Sequence, residues 1–343
     1  MSVPVPVPVL VLNRDGRRFL EPCFESLARE AARDPLLEPW LVDNGSRDGS
    51  VDLVRARFPA VRVVALGDNL GFAGAYDRVL RDDALLAERP LVVLLNNDVR
   101  VGPDFLAPLV TAMADADVAL AGSRLLSGDG RRVDHAGGQV ALIGGGVDIG
   151  KFAPAPAGPP APAATTGFAC GGALCVRRSA YLALGGFDPA YVIYHEDVDL
   201  GWRAWLMGWR VLHVPTSVVY HEGGALMGRP DDPRRLFLSQ RNRLRNLIRL
   251  SGPRRLLEGL AVSACFDLVR TGGFAWHRDG ARLRALLAAD RDVVLELPAL
   301  LRARRELQRR RVRDDRELAR AGVFASFGAS VRAYFAQRAA AAQ

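Results

Sequence analysis

Three clusters of side chains have the types and spacing to handle a charged, oxygen-rich ligand. The first is Asn96-Asn97-Asp98, where an apolar run, Leu91–Leu95, delivers a carboxylate at its tip. Mg²⁺ and Mn²⁺ need oxygen donors and often take only one or two carboxylates besides diphosphate oxygens. Asp98 is therefore a candidate ligand of a hard cation, although a turn capped by Asn and Asp is the plainer account. The second cluster is Tyr194-His195-Glu196-Asp197-Val198-Asp199. Three carboxylates in four residues repel one another on a buried surface, but are tolerated at a metal or at a helix N-terminus. The chain from Asp199 to Arg203 continues as a helix that ends near Gly208. Glu196 and Asp197 then sit at its start, where they either cap it or remove a proton from an acceptor hydroxyl. The third cluster is Val42–Ser50. Asp43 can accept hydrogen bonds from a base or ribose; Ser46, Asp48 and Gly49 make a tight turn, and Asp48 or Ser50 can cap the next helix. An ordinary strand-turn-helix connection explains the same residues equally well. His221 closes the β-branched run Val218–Tyr220, where one ring nitrogen could complete a metal shell, though a lone histidine is more often structural.

These residues need elements to position them. Val7–Leu12, Trp40–Val42, Val61–Ala65 and Leu91–Leu95 read as strands, and Phe19–Ala32, Ser50–Phe58 and Phe72–Leu86 as the helices between them. Such alternation predicts an α/β fold with a parallel sheet covered on both faces. Asp43, Asn69 and Asn96-Asn97-Asp98 all fall at or just beyond strand C-termini, where open parallel sheets bind ligands. Residues 127–166 read as loops and short strands, with an Ala/Pro/Gly-rich surface loop over Phe152–Thr166. Trp202, Trp205 and Trp209, at helical spacing, are expected in the core. Arg234–Leu250 and much of Leu256–Ala321 show helical periodicity with arginines among aliphatic residues. The expected division is a catalytic domain over 1–233 and a basic, partly amphipathic helical extension over 234–343.

The 343 residues are 49% hydrophobic and 24% charged, a globular composition. The four cysteines have no zinc spacing and no disulfide framework, which suits a reducing compartment. Ser2–Val9 alternates Val and Pro and cannot form a signal helix, and no stretch of 18 or more residues is apolar and charge-free enough to span a bilayer. A cytoplasmic location is expected. The net charge of +8 is uneven: residues 234–343 carry 24 basic and 10 acidic residues, a net +14, and residues 1–233 a net −6. Lys151 is the sole lysine.

Together, the order and spacing of these motifs resemble the inverting nucleotide-sugar glycosyltransferases of family 2, particularly their bacterial rhamnosyltransferase-like branch. The resemblance rests on Val11–Gly16, Val42–Ser50, Asn69–Gly74, Leu94–Asp98, Gly171–Val176, Gly185–Asp188, Glu196–Arg203 and His221–Gly224, and covers roughly residues 5–250. It implies a GT-A nucleotide-diphospho-sugar transferase fold. Asn13, Asp43, Asn44, Ser46 and Asp48 would then serve the donor nucleotide, with Asn69, Gly71 and Phe72 beside them. Asn96-Asn97-Asp98 stands where the family carries Asp-x-Asp; Asn96 replaces the first aspartate, so Asp98 would be the main carboxylate ligand of Mn²⁺ or Mg²⁺. Asp197 matches the catalytic base and His221 a histidine that ligates the metal in relatives. Asp77 stands where relatives often have Asn. Arg241-Asn242-Arg243 resembles a motif just after the catalytic domain, and Arg241 could face the diphosphate or a lipid-linked acceptor.

The implied partners are a nucleotide-diphosphate sugar, for which the branch suggests rhamnose, and a glycan or lipid-linked acceptor in cell-envelope polysaccharide synthesis. Leu256–Ala289 could lie on an anionic membrane surface at the inner face of the cell membrane. A nucleic-acid partner is not expected from the Arg302–Arg320 tract, which lacks aromatics and a recognised module. Two other classes compete: a catalytically weak sugar-nucleotide-binding scaffold, which the Asn96 replacement would suit, and a nucleotidyltransferase, which the poor phosphate loop at Asn13–Gly16 disfavours.

Overall fold

The computed structural model describes residues 5–223 and 232–341. Its first half alternates strand and helix: β1 (Val7–Asn13), α1 (Arg17–Ala31), β2 (Leu37–Asp43), α2 (Ser50–Arg57), β3 (Arg62–Ala65), α3 (Gly71–Leu80), α4 (Asp83–Leu86) and β4 (Leu91–Asn96). β1 pairs in parallel with β2 and β4, and β2 with β3. Every residue of β1 is buried, as expected of a strand covered on both faces. Alternate side chains divide between two clusters: Leu10, Leu12 and Leu94 on one face, Val9, Val11, Val93 and Leu95 on the other. One helix was expected over Phe72–Leu86, but the chain breaks at Arg81-Asp82. There the Asp82 carboxylate accepts from the Leu85 amide and starts a new turn.

The second half adds β5 (Val99–Val101), α5 (Leu106–Ala112), β6 (Val118–Ser127), β7 (Val133–His135), β8 (Gly138–Val140), β9 (Gly146–Asp148), β10 (Ala164–Thr165), β11 (Ala173–Arg177), α6 (Arg178–Leu184), α7 (Glu196–Leu206) and β12 (Arg210–His221). The main sheet has the order β10-β12-β6-β11-β4-β1-β2-β3. β11 runs antiparallel between β4 and β6, and β12 pairs in parallel with β6. The result is a mixed α/β sheet, parallel through its first four strands. Trp202 and Trp205 are buried in the core; Trp209, beyond the end of α7, is partly buried against it.

From Pro233 the chain is helical: α8 (Pro233–Leu250), α9 (Pro253–Trp276), α10 (Gly280–Arg310), α11 (Asp315–Arg320) and α12 (Phe327–Ala341). These helices pack back onto the sheet domain. Leu250, Leu318 and Val323 join the same buried cluster as Trp202. The Val140 amide donates to the Val323 carbonyl, and the Ala325 amide to the Val140 carbonyl. Among the described residues no helix is long and apolar enough to cross a membrane.

Candidate active site

The expected donor residues meet at the ends of β1, β2 and β4. Asn13 is fully buried; its Nδ2 donates to Ser46 Oγ at 3.1 Å and its Oδ1 accepts from Asn97 Nδ2 at 2.6 Å. Asp43 accepts from the Ser46 amide through Oδ2, while its buried Oδ1 has no hydrogen-bond partner. Asn97 Oδ1 is orphaned in the same way. Leaving a buried acceptor unpaired costs about 1–3 kcal/mol, so these two oxygens are suited to donors on a ligand. Ser46 Oγ also accepts from the Asp15 amide.

Other residues of this set hold the frame. Asn44 Oδ1 accepts from the Leu70 amide and its Nδ2 donates to Asn69 Oδ1 and the Gly71 carbonyl, latching the loop after β3. Asn69 Oδ1 also takes the Gly71 amide. Gly71 has φ +73°, and a Cβ there would lie 2.9 Å from the Val192 carbonyl oxygen. The Phe72 ring packs edge-on against Tyr76 and Phe187. Asp48 accepts from the Arg17 and Ser50 amides, joining the starts of α1 and α2. Asp77 bonds Tyr181 and Arg81, a structural pairing.

At the tip of β4, Asp98 is buried beside His221 at the end of β12, with Asp98 Oδ1 3.3 Å from His221 Nε2. Neither atom has a hydrogen-bond partner. His221 Nδ1 lies 2.7 Å from Asp134 Oδ2. Burial lowers the imidazole pKa, but the Asp134 and Asp98 carboxylates on either side outweigh it and bring it to about 9; a bound cation would take the place of the Nε2 proton. Two orphaned ligand atoms facing each other, with a carboxylate behind the histidine, fit a hard divalent cation. Among the described residues no group of three or more His, Cys, Asp or Glu is placed to hold a metal. The pair would leave the remaining positions to water and diphosphate oxygens, which is how Mg²⁺ and Mn²⁺ are commonly bound. Gly224, the last residue of this motif, lies outside the described residues.

The base candidate is brought to the same place by the loop before β11. The Gly171 amide donates to Asp197 Oδ2 at 3.2 Å, and the Gly172 carbonyl accepts from the Asn96 amide at 3.0 Å. Two consecutive glycines thus join the start of α7 to the end of β4. A Cβ at Gly171 would come within 2.9 Å of the Phe72 ring. Glu196 and Asp197 occupy the first turn of α7. Burial raises the Asp197 pKa, and burial together with the Asp197 charge raises that of Glu196 well above its ordinary value. Glu196 Oε2 is buried and unpartnered. Asp199, by contrast, is neutralised by Arg203 and Arg249 and is structural.

The segment leading into α7 is held in an unfavourable conformation by α8. Val192, Tyr194 and His195 have φ of 63°, 74° and 64°, and such residues cost about 1–3 kcal/mol each. Asn242 Nδ2 lies 2.8–3.0 Å from the carbonyl oxygens of Tyr191, Ile193 and Tyr194, and Asn246 Nδ2 donates to that of His195. Arg241 donates to the Ala190 carbonyl. Arg243 is buried against Asp267, so it is committed within the extension. Asn242→Ala would take this donor from the Ile193 and Tyr194 carbonyls. We expect about 2–3 kcal/mol lower stability in urea unfolding and a fall in turnover as the start of α7 relaxes.

Sequence reasoning missed a polar chain linking the two chemical centres. From His221 it runs through Asp134 to Lys151 at 3.0 Å, then to Asp148 at 3.4 Å. Asp148 bonds His135 Nδ1 at 2.9 Å, and His135 Nε2 accepts from the Cys170 amide beside Gly171. The one lysine of the sequence sits at its middle; that singularity was the available signal. Burial opposes ionisation of Asp134 and Asp148, but His221 and Lys151 hold Asp134, and Lys151 holds Asp148, below the usual carboxylate range. Lys151→Met should cost about 1–3 kcal/mol at neutral pH, since it takes the cation from two half-buried carboxylates and leaves each with a histidine alone. Carboxylates with depressed pKa stabilise the fold above their unfolded pKa and lose that contribution as pH falls. The gap between variant and wild type in urea midpoint should therefore narrow in acid.

Comparison with known proteins gives the family and the fold. The sequence model described as "Glycosyl transferase family 2" matches residues 7–184. An N-acetylglucosaminyl-diphospho-decaprenol L-rhamnosyltransferase of Mycobacterium tuberculosis is 33% identical over 246 residues, covering 65% of this chain and 78% of the relative. In structure the chain is similar to GalNAc-T7, solved with UDP, GalNAc and Mn²⁺. The TM-score is 0.55 at 17% identity, over 72% of this chain and 48% of that one. It is also similar to the mannosyltransferase PcManGT of Pyrobaculum calidifontis, solved with GDP-Man and Mn²⁺. There the TM-score is 0.50 at 18% identity, over 86% and 76% of the two chains.

Proposed function

The chain belongs to glycosyltransferase family 2, and from that premise we propose that it transfers a sugar, with inversion, from a nucleotide-diphosphate donor to a hydroxyl of a lipid-linked acceptor. The observation that carries this reading is the Gly171-Gly172 loop, which ties Asp197 to the strand tip bearing Asn96-Asn97-Asp98. A leaving diphosphate and an attacking hydroxyl would then be served from one crevice.

Asp43 and Asn97 offer unpaired oxygens to the donor. Asp98 and His221 would hold a divalent cation, which supplies Lewis-acid stabilisation of the charge left on the diphosphate. Asp197 takes the proton of the acceptor hydroxyl as its oxygen bonds to the anomeric carbon. The bond from that carbon to the diphosphate oxygen breaks on the opposite face, and the electron pair leaves with the nucleoside diphosphate. Its raised pKa suits a carboxylate that must accept a proton near neutrality. The named relative makes an L-rhamnosyl donor and a prenyl-diphosphate-linked acceptor the first to try.

Calorimetric titration with UDP, GDP and dTDP, each with and without Mn²⁺, tests the donor half. One nucleotide should bind tightly, and less tightly without metal. If none binds under either condition, the transferase reading fails.

A further inference from the structure

We infer that α9 carries an outward apolar face that seats the protein on an anionic phospholipid bilayer. This rests on the transferase reading and deepens it, since a lipid-linked acceptor is met at such a surface.

The inner side of α9 is fixed by its contacts. Asp267 pairs with Arg243 of α8, Ser263 Oγ accepts from the same arginine, and Arg255 donates to the Val140 carbonyl. A Cβ at Gly259 would meet Leu247 at 2.5 Å. The opposite side is unpacked. Leu257, Leu260, Leu268, Val269 and Trp276 are exposed, Leu268 by 74%, Val269 by 75% and Trp276 by 85%. Between Glu258 and His277 every exposed residue of the helix is uncharged, whereas Asp267 and Arg270 lie on the inner side. The face runs roughly 30 Å from Leu257 to Trp276 at the helical rise. It continues onto α12, where Phe327, Val331 and Phe335 are exposed one turn apart, and where the Tyr334 ring lies 5.2 Å from Phe266 of α9.

Charge selects the occupant. Residues 234–343 carry 24 basic and 10 acidic residues. On α9 and α10 the exposed acidic residues are Glu258 and Glu306, against exposed arginines that include Arg254, Arg284, Arg291, Arg302 and Arg305. Two such faces would repel each other, while an anionic leaflet attracts them. A helix with an apolar outer face, a polar inner face and a terminal Trp lies in the interface plane. The placement also suits transfer. α9 is anchored to Arg243 of α8, and a Cβ at Gly145 would lie 3.8 Å from the Arg243 Cβ and 3.4 Å from the His195 ring, next to Glu196 and Asp197.

The test is flotation of the full chain with vesicles of phosphatidylcholine alone and of phosphatidylcholine mixed with phosphatidylglycerol, without donor or acceptor. The protein should float with the mixed vesicles, less so at high salt. The double variant Leu268→Glu, Val269→Glu should lose at least about tenfold in partitioning, with unchanged thermal melting and nucleotide affinity. The inference is overturned if wild type floats with neither vesicle or if the variant floats as wild type does. It is also overturned if light scattering shows a dimer that the variant converts to monomer, because the face is then a contact between copies. Vesicle binding in a protein that binds no nucleotide would leave the docking face standing while the transferase reading fails.

Discussion

Asp197→Asn should lower kcat by about 10²- to 10⁴-fold, the usual contribution of a positioned general base, with donor affinity nearly unchanged. The two carboxylate oxygens of Asp197 accept from the Gly171 and Val198 amides, so an asparagine can keep one of these bonds and the fold should survive. The pH profile separates this role from a structural one. A base works when deprotonated, so the rate should rise with pH through the pKa of Asp197. Burial places that rise above the ordinary carboxylate value. Glu196 next to it holds its proton more firmly, because it is buried and because the Asp197 charge opposes its ionisation. Glu196→Gln, a neutral isostere of the protonated acid, should therefore leave the rising limb in place. Near-normal turnover in Asp197→Asn together with a dead Glu196→Gln would exchange the two roles.

The legible parts of this protein were those whose cause is local. β1 and β4 announce themselves as apolar runs that end in Asn or Asp, and the first turn of α7 by acidic residues that suit a helix N-terminus. β11 was not legible: Ala173–Arg177 becomes a strand only because β4 and β6 each offer it an edge. β6 likewise draws its pairing from β11 and β12, both distant in sequence. In the site, single residues could be placed at strand ends, but their duties could not. Asn44 and Asp48 share a turn with Asp43, yet they spend their hydrogen bonds on the frame while Asp43 keeps an oxygen free. The chain His221–Asp134–Lys151–Asp148–His135 depends on β7, β9 and β12 meeting, which no local pattern records. Asn242 was visible within its motif, but the positive-φ segment that it supports is a property of the folded backbone.

Asp98→Ala should abolish the metal-dependent part of donor binding and lower turnover by about 10²- to 10⁴-fold, since charge stabilisation at a leaving diphosphate is worth several kcal/mol. Chelating divalent cations from the wild type should do the same. The telling experiment is the pair of single variants with the double. Asp98 Oδ1 and His221 Nε2 face each other at 3.3 Å without other partners, so both would serve one ion. Residues that act as a unit are non-additive: Asp98→Ala with His221→Ala should be little worse than either alone, and none of the three should respond to Mn²⁺. If the two residues were merely an ion pair within the fold, the double variant would again resemble the singles in stability. Mn²⁺ would then raise nucleotide affinity in the wild type and in all three variants alike. Asp134→Asn distinguishes the supporting carboxylate from the ligands. It would leave Asp98 and the imidazole in place but weaken the orientation of His221, so the Mn²⁺ concentration needed for half-maximal nucleotide binding should rise about 10- to 100-fold while saturating Mn²⁺ restores binding.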